Sequence, residues 1–267
     1  LGSEGAQAVM GGGGYVAGPV ALAAVTLGLP VVLTEADSRL GLANRILAPL
    51  ARRVCLAFPL EGRDGRRYLV TGRPGPPADA NRERARAELG LEPGVACLLI
   101  FGGSLGSRTI NEAALEAFAA SAPGHVLHVA GARDYAELAG RPRGPHYDLR
   151  EYLPVERFGE WLAASDLVIA RSGGSIFEVA AHGRPAVLVP YPHAAGAHQA
   201  TNAAWMERAG AAVVIADREL TAAGLRACVE RLLGDPDRLA GMARASASLA
   251  RPDAARVIAA ELLAAAG

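Results

Sequence analysis

A chain of 267 residues that is 51% hydrophobic and 20% charged, with 32 glycines and 17 prolines, has the make-up of a folded, core-building protein of one large or two ordinary domains. Its 27 basic residues balance 27 acidic ones, so nothing calls for the sequence-independent grip on phosphate backbones that marks nucleic-acid binders. Every basic residue is arginine, and the absence of lysine excludes Schiff-base chemistry, a lysine-anchored pyridoxal phosphate and a Walker-type phosphate loop.

Cys55, Cys97 and Cys228 are odd in number, far apart and set in apolar runs, so a reduced, cytoplasmic setting is expected, without disulfides or a Cys-x-x-Cys metal site. No apolar run reaches the roughly 18 residues that cross a bilayer. Position 1 is Leu and Met10 falls inside a strand-like run, so the sequence reads as a piece that continues upstream.

Short β-like runs alternate with alanine-rich helical stretches, the pattern of an α/β protein with parallel, doubly wound sheets. A strand over Gln7–Met10 leads into four glycines, whose entropic cost argues for close backbone approach to a ligand or a facing segment; a helix follows with Pro19 in its first turn. After the strand Pro30–Leu33 come Glu35 and Asp37, carboxylates placed either for proton transfer or to cap a helix over Leu42–Leu50. Strands Arg53–Ala57 and Tyr68–Val70 precede Thr71-Gly-Arg-Pro-Gly-Pro-Pro77, where three prolines and two glycines forbid regular structure and set a domain boundary. Arg82, Arg84 and Arg86 read as the solvated face of a helix.

Beyond the boundary, the strand Ala96–Phe101 runs into Gly102-Gly-Ser-Leu-Gly-Ser107 and a helix over Thr109–Ala120, which is either a diphosphate cradle or a tight turn. A strand over His125–Ala130 follows. The strand Leu167–Ala170 then repeats the geometry with Arg171-Ser-Gly-Gly-Ser175 and a helix carrying Glu178, a residue suited to ribose hydroxyls or to a capping box with Ser175. The strand Ala186–Val189 opens the loop Pro190 to Gln199, where His193, His198 and Gln199 offer donors and acceptors to sugar hydroxyls, or simply to water; a helix follows around Asn202–Arg208. No Cys or carboxylate joins the histidines at metal-ligand spacing. A strand over Ala212–Ile215 and an apolar helix over Asp253–Ala265, started by Pro252, complete the chain. Three segments result: 1–70, 71–250, and 251–267, the last a helix packing back on the first.

In this order, Gly11-Gly-Gly-Gly-Tyr-Val-Ala-Gly-Pro19, Gly41-Leu-Ala-Asn-Arg45, Gly102-Gly-Ser-Leu-Gly106, Arg171-Ser-Gly-Gly174 with Glu178, and His198-Gln-Ala-Thr-Asn-Ala203 resemble the MurG family of bacterial N-acetylglucosamine transferases. The resemblance implies a GT-B architecture of two Rossmann-like doubly wound domains, the first incomplete in this chain, with the UDP-sugar on the second. It implies inverting transfer from UDP-N-acetylglucosamine to the muramoyl 4-hydroxyl of lipid I, giving lipid II for peptidoglycan synthesis. No cofactor, metal or nucleic acid is implied, and the enzyme is expected to sit peripherally on the inner face of the cell membrane, against its anionic surface.

Carried over by position, Gly102, Gly103 and Ser104 resemble the diphosphate turn and Leu153 the residue whose backbone reads uracil. Arg171, Ser172, Gly173, Gly174 and Ser175 resemble the second donor turn, with Glu178 as the ribose ligand, and His198 and Gln199 the donor-sugar loop. Gly13, Gly14, Tyr15 and Asn44 match acceptor-side positions. Leu105, Asp37 and His198 stand where the family often has Gln, Asn and Gln, and Pro76 where it has an Arg for which Arg73 substitutes. The family's proposed general base, a His in an earlier glycine-rich loop, is expected before Leu1, which leaves Glu35 and Asp37 as candidates within the chain. Two alternatives share the nucleotide site: another GT-B UDP-sugar transferase, and a non-catalytic nucleotide-sugar module completed by a separate chain.

Overall fold

The computed structural model describes residues 5–78, 80–194 and 197–267, the side chain of Tyr15 aside. Two compact units divide them, one formed by residues 5–75 with 251–267 and the other by 76–250.

In the first unit β1 (Val9–Gly11), β2 (Val31–Glu35), β3 (Arg53–Leu56) and β4 (Tyr68–Val70) pair in parallel in that order. The two-residue period of a strand splits their side chains between two layers. Val31, Leu33, Val54 and Leu56 pack with residues of α1 (Gly14–Thr26) and α2 (Leu42–Leu47), whereas Val32 and Cys55 meet Ile258 and Ala265 of α11 (Ala254–Ala266). A half-buried ion pair between Arg53 and Glu261, 2.6 Å apart, ties α11 to β3. Helix α1 starts at Gly14, so Pro19 lies inside it and not in its first turn; Gly13, at φ 83°, turns the backbone into the helix early. Helix α2 stops three residues short of the expected Leu50. Burial raises the Cys55 thiol to about 11 and Cys97 to about 12, which marks both as packing residues.

The second unit is built on six parallel strands: β5 (Cys97–Phe101), β6 (His125–Val129), β7 (Tyr147–Arg150), β8 (Leu167–Ala170), β9 (Ala186–Leu188) and β10 (Ala212–Val214). Their spatial order is β10-β9-β8-β5-β6-β7, so the chain builds outward from β5 in one direction, returns to β8 and builds outward in the other. Between β5 and β8 lies the point where the winding reverses, the place where open α/β sheets bind ligands. Eight helices accompany the sheet among the described residues: α3 (Arg82–Glu88), α4 (Arg108–Phe118), α5 (Tyr135–Ala139), α6 (Val155–Ala164), α7 (Ile176–Ala181), α8 (His198–Arg208), α9 (Ala222–Leu233) and α10 (Pro236–Ser248). Among the strands of the described residues, β7 is the one with no counterpart in the sequence reading. It is a four-residue edge strand that buries Tyr147 and Leu149 and turns Asp148 and Arg150 outward. Helix α8 begins four residues earlier than expected.

The arginine run is a correction as well. Arg84 is exposed, but Arg82 donates to the carbonyls of Ala163 and Ser165 at 3.0 and 2.7 Å and pairs with Asp166 at 2.5 Å, while Arg86 donates to Ala164 at 3.0 Å. Arg184 reaches Ser165 O at 2.8 Å. Three guanidinium groups thus close the C-terminus of α6, where the helix dipole favours positive charge. Among the described residues no helix is long and apolar enough to cross a membrane.

Candidate functional site

The sheet register brings the predicted loops of the second unit to one edge. Phe101 pairs with Ala170 and with Val129, Ala170 pairs with Leu188, and Val129 with Arg150. The segments that follow these residues therefore emerge side by side: 102–107, 171–175, 130–134, 189–194 and 151–154.

Their convergence leaves a cavity of about 340 Å³ lined by Gly103, Ser104, Leu153, Ser175 and Glu178. An apolar side is supplied by Phe101, Val129, Tyr152, Val155 and Phe158, with the Phe158 ring edge-on to Phe101 at 5.0 Å. The volume falls in the range of small-ligand sites, roughly 300–1000 Å³. Gly103 has φ 93° and open space where a Cβ would stand, so its backbone is accessible to a ligand. Gly106 and Gly131 serve a different end. A Cβ on Gly106 would overlap the carbonyl oxygen of Ala130, and one on Gly131 would overlap the amide of Gly106, so this turn rests directly on the segment after β6. Ser107 caps α4, its Oγ accepting from the Ile110 amide. The Ser175 side chain makes no cap hydrogen bond, so the serine half of the Ser-x-x-Glu box is not formed, and Glu178 stands at the cavity wall in the first turn of α7.

Arg171 is buried, and its guanidinium is committed to the protein. It donates to Val189 O at 3.1 Å and Pro190 O at 3.3 Å, pairs with Asp217 at 2.5 Å and lies over the Tyr191 ring. Ser172 Oγ donates to Gln199 O at 2.7 Å, Asn202 Nδ2 to Ser172 O at 3.0 Å, and the Tyr191 amide to Gln199 Oε1 at 3.0 Å. These bonds fasten the loop after β9 onto the turn after β8, so Arg171 and Ser172 shape the loop that His198 and Gln199 close. Both of those residues lie in the first turn of α8. Ala195 and Gly196 of the same loop lie outside the described residues.

In the first unit, Glu35 is buried and both its oxygens are engaged. Oε1 accepts from the Asp37 amide at 3.1 Å, and Oε2 from the Gly41 amide at 2.8 Å and from Asn44 Nδ2 at 2.9 Å. Asn44 Nδ2 also donates to Thr34 O, and Asn44 is buried beside Gly13. Glu35 and Asn44 therefore shape the β2–α2 loop, while Asp37 and Arg73 are exposed. Gly13 and Gly14 both take positive φ and form the entry to α1; the Tyr15 side chain lies outside the described ones.

Tyr152, Val155 and Phe158 escape the sequence reading because they carry no polar signature. Val155 and Phe158 at i, i+3 on the amphipathic α6 were the available hint. Asp217 lies far along the chain from Arg171, and nothing local couples the two.

The model of the glycosyltransferase family 28 C-terminal domain matches residues 97–258, and that of the family 28 N-terminal domain residues 1–56. A Moorella thermoacetica protein named UDP-N-acetylglucosamine--N-acetylmuramyl-(pentapeptide) pyrophosphoryl-undecaprenol N-acetylglucosamine transferase is 44% identical over 265 residues, which span 94% of this chain and 71% of the relative. The Rubrobacter xylanophilus protein of the same name is 41% identical, spanning 97% and 77%. Among solved structures, MurG of Acinetobacter baumannii aligns with a TM-score of 0.77 at 27% identity, over 98% of this chain and 75% of that one. With both family models matched and such relatives spanning nearly all of it, the chain belongs to glycosyltransferase family 28, to its MurG branch, and has the GT-B class of fold.

Proposed function

We propose that the chain transfers N-acetylglucosamine, with inversion, from UDP-N-acetylglucosamine to the muramoyl 4-hydroxyl of lipid I, producing lipid II. The observation that carries this reading is the cavity at the winding reversal of the second unit, where the turn bearing Gly103 and Ser104 meets Leu153 and Glu178. Amides at the start of the eleven-residue α4 and the positive end of its dipole suit a diphosphate, and they stabilise the charge that builds on UDP as it leaves. The Phe101–Phe158 side suits uracil, and Glu178 suits the two ribose hydroxyls. His198 and Gln199 are assigned to the sugar. Gly13, Gly14, Tyr15 and Asn44 are assigned to the acceptor, whose polyprenyl tail stays in the bilayer; this is the reason to place the enzyme peripherally on the anionic inner face of the membrane.

The test is transfer of labelled N-acetylglucosamine to a lipid I analogue, together with calorimetric titration of UDP. Absence of saturable UDP binding would remove the proposal. Gly103→Val puts a β-branched side chain into open space at a left-handed φ. It should lower the melting temperature by about 2–12 °C, the strain being about 1–3 kcal/mol, yet weaken UDP at least tenfold. Unchanged UDP affinity in this variant would make the turn purely structural.

A further inference from the structure

A histidine occupies the fourth of the five positions of the core strand β6, with no exposed surface. His128 Nδ1 lies 2.7 Å from the Tyr147 hydroxyl on β7, and Nε2 lies 3.0 Å from Asn111 Oδ1 on α4. Asn111 is equally buried, and its Nδ2 donates to Ala130 O at 3.0 Å and to Asp134 Oδ2 at 3.1 Å. Asp134 in turn is nearly buried and pairs with Arg133 at 3.2 Å and Arg108 at 3.3 Å.

The polarity of this chain of bonds follows from its ends. Ala130 O and the Asp134 carboxylate only accept, so the amide of Asn111 must point its NH2 toward them and its oxygen toward His128. An oxygen there obliges His128 Nε2 to carry the proton, which leaves Nδ1 to accept from Tyr147. Burial lowers the imidazole to about 3, so it is neutral, as this single arrangement needs. The Asp134 carboxyl is raised by burial but lowered further by Arg133 and Arg108, and the net direction is downward. An imidazole, an amide and a carboxylate in a core cost free energy that apolar residues would not, unless every group is satisfied.

What the chain of bonds holds is Ala130 O, the atom on which the Gly106 backbone rests. The wall at Tyr152 and Leu153 is held without the brace, by backbone bonds from the Ala130 amide to Arg150 O at 2.9 Å and from the Gly131 amide to Glu151 O at 3.0 Å. We propose that Tyr147, His128, Asn111 and Asp134 form a buried brace that sets the position of the Gly103–Gly106 turn against a bound diphosphate, with His128 as its central positioning residue. The inference rests on the nucleotide-site reading above and adds residues that touch no ligand.

The test compares UDP with uridine, which lacks the diphosphate, on the 267-residue chain well below the melting temperature of each variant. His128→Leu leaves Asn111 Oδ1 and the Tyr147 hydroxyl without partners. It should weaken UDP at least tenfold and uridine less than threefold. His128→Gln keeps a donor for Asn111 and should bind UDP within threefold of the parent. Should His128→Leu not fold, Asn111→Ser, which releases Ala130 O with a smaller change in the core, must show the same split between the two ligands. A general structural weakening would instead lower both affinities together or neither, and either result overturns the proposal. A parent chain that binds no UDP would remove the nucleotide reading itself, a result distinct from failure of the brace.

Discussion

Glu178→Ala should bind UDP roughly 30- to 1000-fold more weakly than the parent. Hydrogen bonds from ribose hydroxyls to a carboxylate are charge-assisted, at about 1.5–3 kcal/mol each, and with water taking over part of the bonding of both freed hydroxyls the net loss is about 2–4 kcal/mol, which corresponds to that range. The position in the fold supports the assignment, since Glu178 stands at the cavity wall in the first turn of α7. Calorimetric titration decides the matter. An affinity within threefold of the parent would confine Glu178 to the helix terminus. The 2′-deoxyribose analogue of UDP supplies the control: it should bind the parent more weakly than UDP does, and the two should bind Glu178→Ala almost alike.

The second large effect is expected on stability. Gly106→Ala adds a methyl group that overlaps Ala130 O at a φ of 80°, so the turn must lift off the segment after β6. Left-handed strain of about 1–3 kcal/mol and overpacking of about 1–3 kcal/mol together give roughly 2–6 kcal/mol, or about 4–24 °C in the melting transition. Gly103→Ala shares the left-handed conformation but meets open space, and should lose only about 1–3 kcal/mol. The difference between the two variants isolates the overlap. Equal losses would mean that Gly106 matters for its φ alone.

Where the fold was legible, a local signal coincided with a global one. Strands β5 and β8 read clearly because buried parallel strands are continuous apolar runs, and both end abruptly on Gly or on Ser and Gly. Their adjacency at the winding reversal was not legible, since strand order follows from how helices cover a sheet and not from any one stretch of residues. Edge strand β7 hid for the opposite reason, its alternating Asp and Arg resembling a polar loop. In the candidate site, Gly103, Ser104 and Glu178 announced themselves through turn chemistry at strand ends. The apolar side of the cavity did not, because Phe158 and Val155 look like core residues on an amphipathic helix. Long-range polar partners were equally silent: the arginines of α3 read as solvated until the fold brought Asp166 and the end of α6 beneath them.

The first unit is discontinuous in sequence, and α11, which covers Val32 and Cys55, follows the whole of the second unit along the chain. During synthesis from the N-terminus, one layer of that parallel sheet therefore waits uncovered while the whole of residues 76–250 is made. The second unit has all its strands before then and is free to fold first. At roughly 5–20 residues per second, the wait amounts to about 9–35 s, during which an apolar sheet face has no covering helix. Arg53, whose partner Glu261 arrives with α11, keeps a fixed charge at that surface meanwhile. The order of the genetic message thus separates the strands of the first unit from the helix that covers them by the whole of the second unit.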